Sequence, residues 1–249
     1  MSLLHPVTAS SQTALLDDLS AINSPIADSL RISFVSTVPA IGLSTVAAAS
    51  MRHLAHAHPG RVLAVDPRPG QAGSLLMAAP EEPPADVLSR LPASARPWLS
   101  YSHGICVSGF DGATAAGWNT TVAPIARYFD IVATDWGTQP LPAMGPVARL
   151  SNVFCIAGSY RRGSAESAIA VARAVTAGAP GVRAVVVLID ATRTHSTWPR
   201  TIAPTLPFPV VAFPYDSSLA AHQGPRNRTE RLGMTLAAHL IGKPEVSHG

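Results

Sequence analysis

Lysine is the residue this chain most lacks: its 249 residues contain one, Lys243, against 17 arginines. With abundant Ala and Pro, the imbalance reads as codon bias in a high-GC genome. Charge is sparse too, at 13% of residues with a net of +3. Basic residues cluster only at Arg161-Arg162 and at Arg226, Arg228 and Arg231. Neither cluster is dense enough to neutralise a row of phosphates, so nucleic acid is not an expected partner. Cysteine is limited to Cys106 and Cys155, each inside an apolar run. That favours core packing in a reducing compartment over a disulfide. No basic start followed by an apolar run marks a signal peptide, and no run reaches membrane-spanning length. A cytoplasmic protein is the expectation.

What the chain has is alternation. Residues 1–30 are polar and irregular and read as an N-terminal extension, with a short helix over Gln12–Ile22 carrying Leu15, Leu16 and Leu19 on one face. Residues 31–249 read as one domain. Apolar strands are expected at Ile32–Val35, Arg61–Asp66, Gly104–Val107, Asp130–Asp135, Asn152–Ala157, Arg183–Ile189 and Pro209–Phe213. Helices are expected at Ser44–His58, Ala85–Leu91, Thr114–Tyr128, Ala165–Ala177 and Thr229–Ile241. Strands apolar throughout, alternating with amphipathic helices, predict a doubly wound, mostly parallel sheet covered on both faces. Right-handed crossovers then bring the strand C-termini to one edge, where ligands bind. Asp66, Asp135, Asp190 and Asp216 all fall at that edge.

The first strand leads into Ser36-Thr37-Val38-Pro39-Ala40-Ile41-Gly42-Leu43-Ser44-Thr45. A strand, a tight loop and a helix start form an anion site, because backbone N–H groups and the helix dipole point at the ligand. In phosphate-binding loops, glycines admit the backbone, a lysine neutralises the phosphates and a hydroxyl holds magnesium. Gly42, Ser44 and Thr45 keep their places here. Leu43 stands where the lysine belongs, and Pro39 has no N–H to donate.

Several blocks in order resemble the MinD/ParA family of deviant Walker ATPases, over roughly residues 31–242. They are Phe34–Thr37 through Gly42–Thr45, Val62–Pro69 with Gly73-Ser74-Leu75, Tyr128–Gly137, and Phe213–Asp216 followed by Leu219. The resemblance implies a P-loop NTPase-like α/β fold. It assigns a nucleotide site to Gly42, Ser44, Thr45, Asp66 and Asp135, the two acids holding magnesium or its waters. The departures fall on catalytic positions. Val38 and Leu43 replace the family's two loop lysines, Pro39 and Ala40 its two glycines, Arg68 an acid of the switch segment, and Asp190 the asparagine that meets the base. Losing one preorganised donor costs roughly 3–4 kcal/mol of barrier, and phosphoryl transfer is almost wholly positioning and electrostatics.

No catalytic residue and no resident cofactor are therefore expected, with weak ATP and magnesium binding left open. Arg68 is the expected occupant of the emptied phosphate space, pairing with Asp66 or Asp135. The expected function is that of a pseudo-ATPase acting as scaffold or regulatory partner, with protein partners and a homodimer in view. Eroded MinD-like domains are similar to parts of type VII secretion loci and pilus-positioning systems. The alternatives are a slow or active Mg-ATP-dependent positioning or partitioning ATPase, and a DNA-binding module.

Three smaller features have structural readings. His53 and His56 lie one helical turn apart but lack a completing ligand. Ser159–Ser164 reads as a solvated loop. Asp190, His195 and Ser196 lack the elbow motif of a hydrolase.

Overall fold

The computed structural model describes residues 9–26, 28–67, 81–110, 112–194, 196–220 and 226–242. The chain enters through α1 (Ala9–Ile22), β1 (Leu30–Ser36), α2 (Leu43–Ala57) and β2 (Val62–Asp66). After α3 (Ala85–Arg90) comes a hairpin of β3 (Leu99–Ser102) and β4 (Ile105–Gly109). Its two turn residues, His103 and Gly104, have φ of 50° and 82°. Positive φ at both positions matches the right-handed twist of the flanking strands. Next come α4 (Ala115–Thr121), α5 (Ala123–Ala126), β5 (Ile131–Thr138), α6 (Leu141–Ala148), β6 (Val153–Ser159) and α7 (Arg162–Gly178). The chain closes with β7 (Arg183–Ile189), α8 (Trp198–Ile202), β8 (Val210–Phe213), α9 (Ser217–Ala220) and α10 (Asn227–Ile241).

The strands form one sheet in the order β3-β4-β2-β5-β1-β6-β7-β8. Every pairing is parallel except β3 with β4. This is the doubly wound, mostly parallel sheet that the alternation predicts. From β1 the chain moves one way to β2 and later the other way to β6, so the loop after β1 opens at the switch of winding direction.

Period-two alternation sorts the strand side chains into two cores. Ile32 and Phe34 join α2 and α10 residues on one face, while Val35 joins α4, α6 and α7 residues on the other. On the first face, the missing side chain of Gly233 lets α10 approach α2. A Cβ there would stand 3.2 Å from the Cβ of Ala49. The N-terminal helix α1 docks on the same face. Thr235 Oγ1 donates to Asp18 Oδ2 at 2.8 Å, and Arg231 Nη2 donates to the Ser11 carbonyl at 2.8 Å. Arg183 closes the far end of α10, donating to the His239 and Leu240 carbonyls at 3.2 and 2.9 Å. Its guanidinium thus satisfies carbonyls that a helix C-terminus leaves without partners.

A buried polar line crosses the second face. Trp136 Nε1 donates to Ser33 Oγ at 2.9 Å, and Ser151 Oγ lies 2.6 Å from the same oxygen. The Trp136 ring meets Phe110 edge-on at 6.3 Å. Trp118 Nε1 donates to Thr134 Oγ1 at 3.0 Å. Both indoles are thus packing residues with their polar atom paired. Cys106 and Cys155 are free and buried. Burial pushes the Cys106 thiol up to about 12, against the weaker opposing pull of Arg90, and pushes Cys155 up as well.

The structure differs from the sequence expectation in five places. The helix expected over Thr114–Tyr128 is two, α4 and α5, breaking at Val122 just before Pro124. A proline there has no N–H for the helix ladder and takes an early position of the new helix instead. Strand β3 and helices α6, α8 and α9 come in addition to the expected elements.

Candidate functional site

The loop after β1 is tightened by its own residues. The Val38 N–H donates to Ser36 Oγ at 3.0 Å, and that hydroxyl donates to the Val38 carbonyl at 2.7 Å. From the next strand, the Gln139 N–H donates to the Ser36 carbonyl at 2.9 Å. Ala40 has φ of 55°, a left-handed conformation that a side chain with a Cβ rarely takes. Gly42, at φ 91° and ψ 17°, then caps α2, and its carbonyl accepts the first helical bond from Val46 N at 3.1 Å. The geometry of strand, turn and helix start is that of an anion cradle.

Its chemistry is different. Leu43, the first residue of α2, is 5% exposed and belongs to the same core as Ile41, Val46, Ile189 and Phe213. It therefore packs inward from the loop. Thr37 Oγ1 is buried and has no hydrogen-bond partner among the described residues. A buried polar atom left without a partner calls for a water or ligand oxygen to satisfy it.

Beside the loop lies a pocket of about 190 Å³. Gly42 and Thr45 line it, with Ile189, Phe213, Asp190 and Asp216 opposite. Its volume is below the roughly 300–1,000 Å³ of a typical small-molecule cleft, and the pocket is open on one side to solvent. Asp190 Oδ1 accepts from the Thr192 and Thr194 N–H groups at 3.3 and 2.9 Å and from Thr194 Oγ1 at 3.0 Å. Asp216 Oδ1 accepts from Ser218 N at 2.9 Å, and its Oδ2 accepts from Arg226 N at 2.9 Å and Thr229 Oγ1 at 2.6 Å. Each carboxylate thus anchors the loop that follows its own strand. At the rim, the Arg193 guanidinium lies 4.6 Å over the Tyr215 ring.

Asp66 ends β2, and Asp135 lies on the neighbouring strand β5, one step beyond the Val65–Thr134 pair. Both are buried. Asp135 Oδ1 accepts from the Gly137 N–H at 3.0 Å. The site residues thus fall in two groups. Gly42 and Thr45 share the pocket, with Ser44 between them in sequence; Asp66 and Asp135 sit on adjacent strands and do not line it. Arg68, His195 and the Gly73–Leu75 stretch lie outside the described residues. Thr229, Ile189 and Tyr215 are pocket residues that sequence reasoning passed over. The strand-end places of Ile189 and Tyr215 beside Asp190 and Asp216 were the available signal for those two; Thr229 lies in the first turn of α10.

The remaining candidates have structural roles. His53 Nε2 lies 3.0 Å from the Glu230 carbonyl and 3.3 Å from its carboxylate. Ser164 Oγ accepts from Ser159 N at 2.9 Å and closes that loop. Among the described residues no group of three or more His, Cys, Asp or Glu side chains could hold a metal ion. No helix among them is long and apolar enough to cross a membrane.

Neither a protein-family model nor a curated protein matches this sequence. Solved structures do match in shape. MinD from Aquifex aeolicus aligns with a TM-score of 0.59 at 15% identity, over 86% of this chain and 97% of its own. The ParA family ATPase of Chlorobium tepidum TLS gives 0.56 at 16%, over 84% and 99%. A plasmid partition protein from Borrelia burgdorferi gives 0.54 at 12%, over 86% and 96%. The fold is that of the MinD/ParA ATPases. On that fold, the loop after β1 is the P-loop position, and the pocket between β7, β8 and α2 opens beside it.

Proposed function

We propose that this chain is a non-catalytic MinD/ParA-like protein that works as a scaffold or regulatory partner. The observation that carries the reading is Leu43, buried in the core where a working loop needs a cation facing phosphate. Pro39 supports it by removing a donor. These residues do not fit a magnesium nucleotide, and no chemical step is assigned through one. Gly42, Ser44, Thr45, Asp66 and Asp135 are the remnants of such a site. Residues 31–249 form the working domain in this reading, and residues 1–30 an extension whose helix α1 clamps α10.

A protein partner suits a domain that signals by shape alone. An Aquifex aeolicus MinD structure is a complex with MinC, and a homodimer or a partner of that general kind is proposed here. Secretion loci of type VII and pilus-positioning systems are the proposed setting, on the eroded loop and the Arg/Ala-rich composition.

Titration with a fluorescent ATP analogue, with and without magnesium, tests the reading. The expected Kd is weaker than about 10 μM, roughly 7 kcal/mol. Tighter, magnesium-dependent binding would overturn it. That outcome favours the second reading, a slow positioning ATPase, for which the unpartnered Thr37 hydroxyl in the loop is the supporting observation.

A further inference from the structure

The second face of the sheet is incompletely covered. Between α6 and α7 lies a mostly apolar groove of about 490 Å³, walled by Leu141, Met144, Ala148 and, at one end, Arg149 on one side and Ala170, Val171 and Ala174 on the other. Leu141 is 62% exposed, one of three large hydrophobic side chains left in solvent among the described residues. The outer surface of α7 beside the groove is small-sided. Gly163, Ala170, Ala174 and Ala177 follow one another at helical spacing and are exposed. Small side chains let a second helix come close.

Charge says what that second helix is. Along the edge of α7 away from the groove, Glu166 and Arg173 lie two turns apart. Glu166 pairs with Arg162 at 2.7 Å. The Arg173 guanidinium is exposed and has no partner among the described residues. The midpoint of Glu166 and Arg173 falls between Ile169 and Ala170, beside the middle of the small stripe. A copy of α7 laid antiparallel across that point brings its Arg173 to Glu166 and its Glu166 to Arg173. The same two-fold operation sets groove against groove, with Leu141 of each copy covered by the other. A self-complementary patch of this kind is what an isologous interface requires.

We propose that the α6–α7 face is the interface of a homodimer, closed by antiparallel crossing of the two α7 helices near Ala170. The interface is separate from the phosphate loop, and it stands whether or not the site binds nucleotide. Helix α7 is about 25 Å long at 1.5 Å per residue. With α6 about 12 Å long and about 10 Å of width for each helix, the two cover about 370 Å² per copy. That lies below the roughly 800 Å² per partner of a standard interface, so the dimer is reversible and concentration-dependent.

Sedimentation velocity of the full chain over a concentration series, without nucleotide, is the test. The expected wild-type result is a monomer–dimer equilibrium in the micromolar range. Glu166→Arg and Arg173→Glu should each weaken it about 10-fold or more, because each sets two like-charged pairs face to face. Mixing the two variants should restore the dimer, because each then supplies the charge the other lacks. Ala170→Cys should form a covalent dimer on mild oxidation, since Cys106 and Cys155 are buried and do not compete. A wild type that stays monomeric at every concentration overturns the proposal. A dimer that ignores both charge reversals, or a mixture no tighter than its components, overturns it as well. ATP titration of the same samples reads the loop separately, so either reading can fail alone.

Discussion

The two faces of the sheet are built to different standards. The face under α2 and α10 is sealed. Long helices cross it, a glycine brings them together, α1 covers the outside and Arg183 closes the end. The other face is covered by the long α7 beside shorter pieces. Proline splits α4 from α5, Pro146 lies inside α6, and a groove is left along α7. The sealed face carries the phosphate loop, and its seal explains the loop's chemistry: Leu43 belongs to that core. The open face carries the groove proposed to meet a second copy. The proposed loss of nucleotide binding and the proposed contact surface thus belong to opposite sides of one sheet.

Four substitutions would break or sharpen this contrast. Trp136→Ala removes the largest fully buried side chain, its edge-on contact with Phe110 and its hydrogen bond to Ser33. It should cost about 3–5 kcal/mol in urea unfolding, showing that the open face is loose only at its surface. Leu43→Lys would put an amine into the sealed core. A loss of about 3 kcal/mol is expected from forfeited burial and desolvated charge. ATP binding should not return with it. Recovery of magnesium-dependent binding at little cost in stability would mean the loop core is not sealed. Gly233→Val wedges α10 from Ala49 and should cost about 2 kcal/mol, as overpacking does. Leu141→Ser, on the open face, should change stability by less than about 0.5 kcal/mol while weakening self-association. A large loss of stability there would mean Leu141 supports the monomer.

The thiols add a pH test. The Cys106 pKa is raised from its ordinary value to about 12 by burial. The folded state therefore holds that proton more tightly than the unfolded chain. Its contribution is fully present below the unfolded value near 9 and is lost as pH climbs toward about 12. Native protein at pH 8 should resist thiol reagents, and both cysteines should react once it is unfolded.

The sequence made the scaffold readable where one force dominates. Val62–Asp66 and Arg183–Ile189 are apolar throughout, and only a strand buried on both faces explains such runs. It was least readable where forces compete. Strand β3 reads Leu-Ser-Tyr-Ser, an edge strand whose pairing is decided by the His103-Gly104 turn rather than by burial. Helix α6 hides behind Pro142 and Pro146, residues that usually end helices, because one sits at its first turn. At the site, the spacing of Gly42, Ser44 and Thr45 was visible in the chain. The inward packing of Leu43 was not, since direction belongs to the packed core and not to the order of residues.

The central place of β1 has a consequence in time. Its partners are Ile131–Thr138 on one side and Val153–Ala157 on the other. When β1 leaves the ribosome, neither neighbour exists. At about 5–20 residues per second, it waits roughly 6–25 seconds for the stretch that completes its pairing. Until β5 emerges an apolar strand stands with both edges open, exposed to capture by other nascent chains. Helix α2, made just behind it and already rich in alanine, is the first shelter the growing chain can offer.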